Sequence, residues 1–113
     1  MMSPYIYPGL LSVKFKIPQP SDAFSKALRL VCDELGVDMR QVLSSRRHRA
    51  YVIARQMLSY VLRNRYRLTL KYIGMMMGNR DHSTIIHSNN QHLNDYAQSK
   101  HYREVYDRVC RNL

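Results

Sequence analysis

TLKYIGMMM (residues 69–77) runs directly into GNRDHSTIIH (residues 78–87), and these two segments decide the fold. Thr69 stands at a helix cap position, and the apolar residues after it recur at the spacing of a short helix with one buried face. A glycine-containing turn separates this helix from the start of a second one. Two short helices joined in this way predict a helix-turn-helix, whose second helix lies in the major groove of DNA while the first crosses the backbone.

The start of the second helix carries four short polar side chains: Asp81, His82, Ser83 and Thr84. A carboxylate accepts a hydrogen bond from the amine of cytosine, a neutral imidazole donates or accepts, and a hydroxyl does either. These four residues are therefore the candidate base readers. Asp81 could equally cap the helix, alone or in addition to reading a base. Ile85 and Ile86 are expected to anchor the helix to the core.

The GNRDHSTIIH segment is similar to the GGRDHTTVLH signature in the C-terminal DNA-binding domain of DnaA, the bacterial chromosomal replication initiator. A second block, LSSRRHR (residues 43–49) followed by ARQM (residues 54–57), resembles the basic loop and the start of the long central helix of that family. The two blocks have the family's order and spacing, and the resemblance covers about residues 22–112. It implies an all-α fold: a small helical bundle containing a helix-turn-helix, like Trp repressor and the DnaA domain.

The resemblance also implies a second group of DNA contacts. In the family an arginine of the basic loop enters the minor groove, and Arg47 takes that position. A guanidinium suits a narrow, A/T-rich minor groove because the negative potential is focused there. Contacts to the DNA backbone are expected from the neighbouring basic and amide side chains: Arg46, Arg49, Arg55, Gln56 and Arg80. The alternative for the loop is a solvated run of charges.

Two departures from the family signature bear on the site. Asn79 replaces the second glycine of the turn, which is tolerable because asparagine enters left-handed backbone conformations more readily than most residues. Ser83 replaces a threonine whose methyl group can meet a thymine methyl, so one apolar base contact is lost or relaxed. The preferred DNA site is therefore expected to differ from the DnaA box.

Full initiators of the DnaA family carry an ATPase module ahead of this domain. The chain contains no Gly-rich phosphate loop ending in Lys-Ser/Thr, so we expect no nucleotide binding through such a module, no cofactor and no enzymatic activity. No metal site is expected either. His82, His87 and His92 are spaced five apart, which does not place them on one helix face, and the eight acidic residues are scattered.

Composition favours a polyanionic partner. The formal net charge is +10, and thirteen of the eighteen Lys and Arg residues are arginine, which favours bidentate contacts to phosphate and guanine. A merely solvated basic surface is the alternative. No apolar run approaches the roughly 20 residues that cross a bilayer, and no signal peptide is evident, so we expect a cytoplasmic, nucleoid-associated protein. Cys32 and Cys110 lack the spacing of a zinc site and are expected to be packing residues.

The chain divides into an N-terminal arm and a helical body. Residues 1–20 contain all four prolines and are expected to be irregular or extended. This arm is either a disordered leader or a segment that packs on its own body, on a second copy or on a protein partner. Residues 21–113 form the DNA-binding domain. Its predicted helices start near Ser21, after the cap Asp38, at about residue 48 (the longest helix, to about 65), within the helix-turn-helix, and at about residue 101.

Three functions remain open at this point. The first is sequence-specific binding of double-stranded DNA at DnaA-box-like sites, by a transcriptional regulator or a modulator of replication initiation. The second is an adaptor that recruits a protein partner through the arm and uses DNA as a tether. The third is a detached DNA-binding module of an enzyme such as a transposase. The family resemblance implies that one copy binds one site, unless the arm pairs two chains.

Overall fold

A computed structural model of the chain describes residues 20–113. Six α-helices follow one another: α1 (Pro20–Leu35), α2 (Met39–Val42), α3 (Arg49–Asn64), α4 (Leu70–Met76), α5 (His82–Gln98) and α6 (Lys100–Arg111). No β-strand occurs in this part of the chain. The predicted all-α fold is confirmed. The expected N-terminal arm, with any partner or second copy that it contacts, lies outside the described residues.

Three helices begin at an oxygen-bearing side chain that caps them. Asp38 accepts a hydrogen bond from the backbone N–H of Arg40 at 3.0 Å, at the start of α2. Thr69 caps α4 by accepting from the N–H of Tyr72 at 3.1 Å. Ser99 caps α6 by accepting from the N–H of Tyr102 at 3.1 Å, and it separates α6 from α5. Short oxygen-bearing side chains satisfy backbone donors that the first turn of a helix leaves unpaired. The caps predicted at Asp38 and Thr69 are confirmed.

The central helix of the bundle is α3, which contacts α1, α2, α4 and α5. The closing helix α6 packs on α1 and α5. The interior is built from apolar side chains contributed by all six helices and the turn after α4: Ala27, Leu28, Val31, Cys32, Val42, Ala54, Met57, Leu58, Val61, Leu62, Ile73, Met77, Ile85, Tyr102, Val105, Tyr106 and Val109. This core holds the helix-turn-helix in place through Ile73, Met77 and Ile85.

Two sequence predictions about the helices are wrong. The helix predicted to be the longest is α3, with 16 residues, but α5 has 17 because the helix that opens at His82 continues to Gln98. Ile86, expected to anchor α5 to the core, is 41% exposed, whereas Ile85 is buried as predicted. Consecutive residues of a helix point about 100° apart, so a helix that buries Ile85 turns Ile86 towards solvent.

An aromatic cluster around His92 joins α5 to α3 and α6. The His92 ring stacks on Tyr60 with 4.2 Å between ring centroids and meets the edge of Tyr106 at 4.5 Å. Its Nδ1 lies 2.6 Å from the hydroxyl of Tyr102. Burial lowers the pKa of His92 to about 4, so the ring is neutral at neutral pH. The cluster therefore fixes the second half of α5 without a buried charge.

The two cysteines are free thiols. Cys32 is buried in the core, and burial raises its thiol pKa to about 11, so it acts as a small apolar packing residue. Among residues 20–113, no helix combines the length and apolar character needed to cross a membrane.

Candidate nucleic-acid interface

The turn between α4 and α5 depends on two glycines that bring backbone segments very close together. The N–H of Arg80 donates to the carbonyl of Gly74 at 2.7 Å, and a Cβ at Gly74 would lie 2.1 Å from the carbonyl oxygen of Arg80. Gly78 has a φ of +89°, and a Cβ there would lie 2.6 Å from the carbonyl oxygen of Leu43. Asn79 follows with a φ of 58°, which confirms the expected left-handed conformation.

The four predicted base readers lie together on an exposed surface at the start of α5: Asp81, His82, Ser83 and Thr84. Asp81 occupies the N-cap position but makes no side-chain cap hydrogen bond. Its carboxylate instead accepts a hydrogen bond from the Ser83 hydroxyl, and its Oδ1 lies 3.5 Å from Nδ1 of His82. The hydrogen bond from Ser83 is the main reason that the pKa of the Asp81 carboxyl is lowered. Since the Ser83 hydroxyl donates its proton to Asp81, its oxygen can act towards another group only as an acceptor.

Two arginines tie the basic loop to the helix-turn-helix. Arg80 donates from Nη1 to the carbonyl of Met77 at 3.0 Å and from Nη2 to the carbonyl of Ser44 at 2.5 Å. Arg55 reaches the same Ser44 carbonyl from α3 at 2.8 Å. It also donates to the carbonyls of Gln41 at 3.1 Å and Val42 at 2.7 Å. One carbonyl of the loop therefore receives hydrogen bonds from both α3 and the turn before α5.

Arg55 and Gln56, which were predicted to contact the DNA backbone, are buried in the structure. They are only 8% and 5% exposed, because α5 and α2 pack against α3 and cover this part of it. The Arg55 guanidinium is committed to three backbone carbonyls, and burial lowers its pKa, with Arg80 and Arg47 adding to the effect. Gln56 donates to the carboxylate of Asp95 at 2.9 Å. Both side chains are therefore engaged inside the domain, and we propose that they position it rather than contact the DNA backbone directly.

The predicted arginines of the loop remain at the surface. Arg46 and Arg47 lie in the connection before α3, Arg49 is in its first turn, and all three are exposed. Within residues 20–113 none of the three forms an ion pair with a carboxylate. Three guanidinium groups without anionic neighbours repel one another and attract an anion from solution.

The start of α5 stands between two concavities. The first, of about 400 Å³, is lined on its cationic side by Arg47, Arg55 and Arg80, with Thr84 of α5 at its edge. The second, of about 570 Å³, lies between α4 and α5 and has six lining residues: Lys71, Met75, Asn79, Arg80, Asp81 and His82. Arg80 lines both. The predicted readers therefore project between two hollows, each with basic side chains in its wall.

The sequence held a further signal that motif reasoning missed. Ten of the eighteen Lys and Arg residues lie between Asp38 and Asp81, and no Asp or Glu does. Five of these ten were not predicted as site residues: Arg40 of α2, and Arg63, Arg65, Arg67 and Lys71 between the end of α3 and the first turn of α4. No acidic residue within this stretch offsets its positive charge, which is the electrostatic footprint of a nucleic-acid-binding face.

Comparison with known protein families agrees with this geometry. The family model described as the bacterial DnaA protein helix-turn-helix matches residues 25–91, which is more than half of the chain and includes α4, the turn and the start of α5. The chain belongs to the DnaA helix-turn-helix family. The predicted resemblance is confirmed, and the matched region is a DNA-binding helix-turn-helix rather than a catalytic module.

Individual DnaA proteins cover the same region. The chain is 41% identical over 61 residues to the chromosomal replication initiator protein DnaA of Gloeobacter violaceus, which is 54% of this chain and 14% of that protein. It is 29% identical over 86 residues to DnaA of Lachnoclostridium phytofermentans, or 76% of this chain and 19% of that protein. It is 33% identical over 75 residues to DnaA of Herpetosiphon aurantiacus, which is 66% of this chain and 16% of that protein. The chain thus spans less than a fifth of each of these DnaA relatives.

Proposed function

We propose that this chain binds double-stranded DNA sequence-specifically, at sites that resemble DnaA boxes, and that its binding does not require ATP. The observation that carries the proposal is the position of the Asp81–Thr84 segment, exposed between two concavities with basic walls. Recognition of a duplex needs both short polar groups that reach base edges and cations that meet phosphates beside them. The surface around α5 offers both.

The major-groove contacts are assigned by hydrogen-bonding capacity. Asp81, ionised and oriented by Ser83, accepts from an exocyclic amine of cytosine or adenine. Ser83, whose proton is engaged, offers an acceptor to the same amines. His82 donates or accepts, according to its tautomer. Thr84 lines the arginine-lined concavity, so its hydroxyl is proposed to contact either a base edge or a neighbouring phosphate.

The remaining contacts flank this central group. Arg47 is proposed to enter the minor groove beside the major-groove site, where a narrow A/T-rich groove favours a guanidinium. Arg46, Arg49 and Arg80 are proposed to contact phosphates, which position the domain without reading sequence. Arg80 keeps the turn and the loop together while it lines both concavities, so it couples the two groups of contacts.

A protein that occupies DnaA-box-like sites affects whatever else uses those sites. Bound within a promoter it regulates transcription, and bound within an origin it competes with a full initiator and modulates replication initiation. The chain contains no Gly-rich phosphate loop ending in Lys-Ser/Thr, so its own occupancy is proposed to be independent of ATP.

Selection of binding sites from random duplex DNA tests the proposal. We expect recovery of one motif related to the DnaA box, bound with equal affinity with and without ATP. Competition between the selected duplex and a DnaA-box duplex then measures how far the two preferences have diverged. Recovery of unrelated sequences, or equal affinity for the selected and scrambled duplexes at physiological salt, would overturn sequence-specific binding and leave only electrostatic attraction.

A further inference from the structure

Met75 is an apolar side chain in an unusual place. It is 55% exposed, more than any other large apolar side chain among residues 22–113. It belongs to α4 and lines the concavity between α4 and α5 together with Asp81 and His82. An isolated exposed apolar residue is normal on a protein surface. This one lines the same concavity as two of the side chains that are proposed to read bases.

The proposed readers on α5 lack an apolar group on this side. Asp81 and His82 are polar, and the Ser83 hydroxyl is engaged with Asp81 and carries no methyl group. Thr84 has a methyl group but lines the opposite concavity, beside Arg47 and Arg55. In the major groove the feature that marks thymine is its 5-methyl group, which is recognised by apolar contact. The α5 side chains facing Met75 therefore cannot supply a thymine contact by themselves.

Met75 has the properties that such a contact requires. Its side chain is long, unbranched and polarisable, so it adapts to the shape of a neighbouring group. Lys71 lies four residues earlier on the same face of α4 and lines the same concavity, so it places a cation where a phosphate of the contacted strand would lie. DNA is therefore a better occupant of this hollow than an apolar protein segment, which would have to desolvate Lys71, Arg80 and Asp81.

We infer that Met75 is a specificity-determining residue that contacts the 5-methyl group of a thymine in the major groove, with Lys71 holding the adjacent phosphate. The inference rests on the proposed function and extends it from α5 to α4. The apolar contact that Ser83 cannot make is supplied from the first helix of the helix-turn-helix. This preference belongs to the chain's own residues at positions 71, 75 and 83.

A cycle of paired changes in protein and DNA tests this contact. In the duplex obtained by site selection, each thymine is replaced in turn by deoxyuridine, which removes only the 5-methyl group. For wild-type protein, one such replacement is expected to lower the affinity about fourfold, the value of one buried methyl group. On the unmodified duplex, Met75→Ala is expected to lower the affinity by about the same factor. For this variant, the deoxyuridine replacement should lower the affinity no further.

The control variant is Leu93→Ala. Leu93 is a similarly exposed apolar residue of α5, about 16 Å along the helix from His82, and its removal should leave the fourfold deoxyuridine effect intact. Alanine at position 75 favours a helix, so α4 is retained. Equal deoxyuridine effects in wild type and Met75→Ala, or no effect at any thymine, would overturn the inference while leaving sequence-specific binding in place. Failure of the selection to yield any motif would overturn the proposed function itself.

Discussion

At the scale of single residues, His82 and Arg49 represent the two kinds of DNA contact that the surface offers. His82→Ala is expected to remove discrimination at one base pair, at a cost of about 1–3 kcal/mol on the preferred site and little on random DNA. Arg49→Ala is expected to weaken binding to all duplexes about equally and to lower the slope of log affinity against log salt by about 1. Titrations of specific and random duplexes at several salt concentrations measure both effects. Equal losses on the two duplexes for His82→Ala would contradict base reading.

Arg55 is expected to act on stability rather than directly on DNA. Arg55→Ala removes one hydrogen-bond donor from each of the carbonyls of Gln41, Val42 and Ser44, and we expect it to lower the free energy of unfolding by about 3 kcal/mol. Arg55→Lys should restore little of the lost stability, because an ammonium group cannot donate to several carbonyls in the planar geometry of a guanidinium. Urea unfolding measures the loss. The matched control Arg49→Ala, at an exposed position, should change stability by less than about 0.5 kcal/mol. A stable Arg55→Ala variant with weakened DNA binding would instead restore the backbone-contact assignment.

The contrast between these arginines shows what sequence reasoning reaches at this scale. The grouping of Asp81–Thr84 at one exposed point follows from the local pattern of a turn and a helix start. The position of Arg55 does not, because its partners are backbone carbonyls 11–14 residues away and carbonyls carry no sequence signature. Met75 was overlooked for a related reason. The helical spacing of Leu70, Ile73, Met76 and Met77 leaves Met75 off the buried face, but a single exposed apolar residue carries no sequence sign of a binding role.

At the scale of the elements, the joint between α4 and α5 is the most sensitive point. Gly74→Ala would place a Cβ 2.1 Å from the carbonyl oxygen of Arg80, a backbone atom that cannot move without opening the turn. We expect a loss of about 3 kcal/mol of stability and loss of specific DNA binding, since Arg80 and the readers shift together. Gly36→Ala is the matched control. It has a φ of +67° but no atom within 4 Å of the added Cβ, so only about 1–2 kcal/mol of backbone strain is expected, with DNA binding retained.

Helix starts were predictable and helix lengths were less so. Asp38 and Thr69 mark their helices because a cap is a local interaction between residues two or three apart. The extent of α5 was not apparent, because its second half is mostly polar and buries only His92. Hydrogen bonds from α3 hold that half in place, from Ser59 to Asn89 at 2.8 Å and from Gln56 to Asp95 at 2.9 Å. Such bonds depend on tertiary packing and have no periodic pattern.

At the scale of the whole molecule, stability should depend on pH through His92. Its folded pKa is about 4, below the ordinary value of 6.5, so between these pH values the unfolded chain binds a proton that the folded protein excludes. Stability is therefore retained above about pH 6.5 and falls as the pH drops towards 4, by a total on the order of 3 kcal/mol. Urea unfolding at pH 7 and pH 4.5 measures the change.

His92→Phe separates this effect from the titration of carboxylates. Phenylalanine keeps an aromatic ring against Tyr60 and Tyr106 but does not titrate. The stability of the variant should therefore decline clearly less between pH 7 and pH 4.5 than that of the wild type. Asp95, the charged group that raises the pKa of His92, is unchanged in the variant. A decline equal to that of the wild type would assign the acid sensitivity to other groups.

The carbonyl of Ser44 accepts hydrogen bonds from Arg55 and Arg80, and this fixes the distance between the two groups of DNA contacts. The loop that carries Arg47 and the helix start that carries His82 are joined through one atom, so the interval between their contacts is constant. One base pair inserted between the A/T-rich flank and the core of a selected site shifts the flank by about 3.4 Å and rotates it by about 34°. Affinity for the spaced site should therefore fall to that of a site with no flank, as competition between the three duplexes would measure.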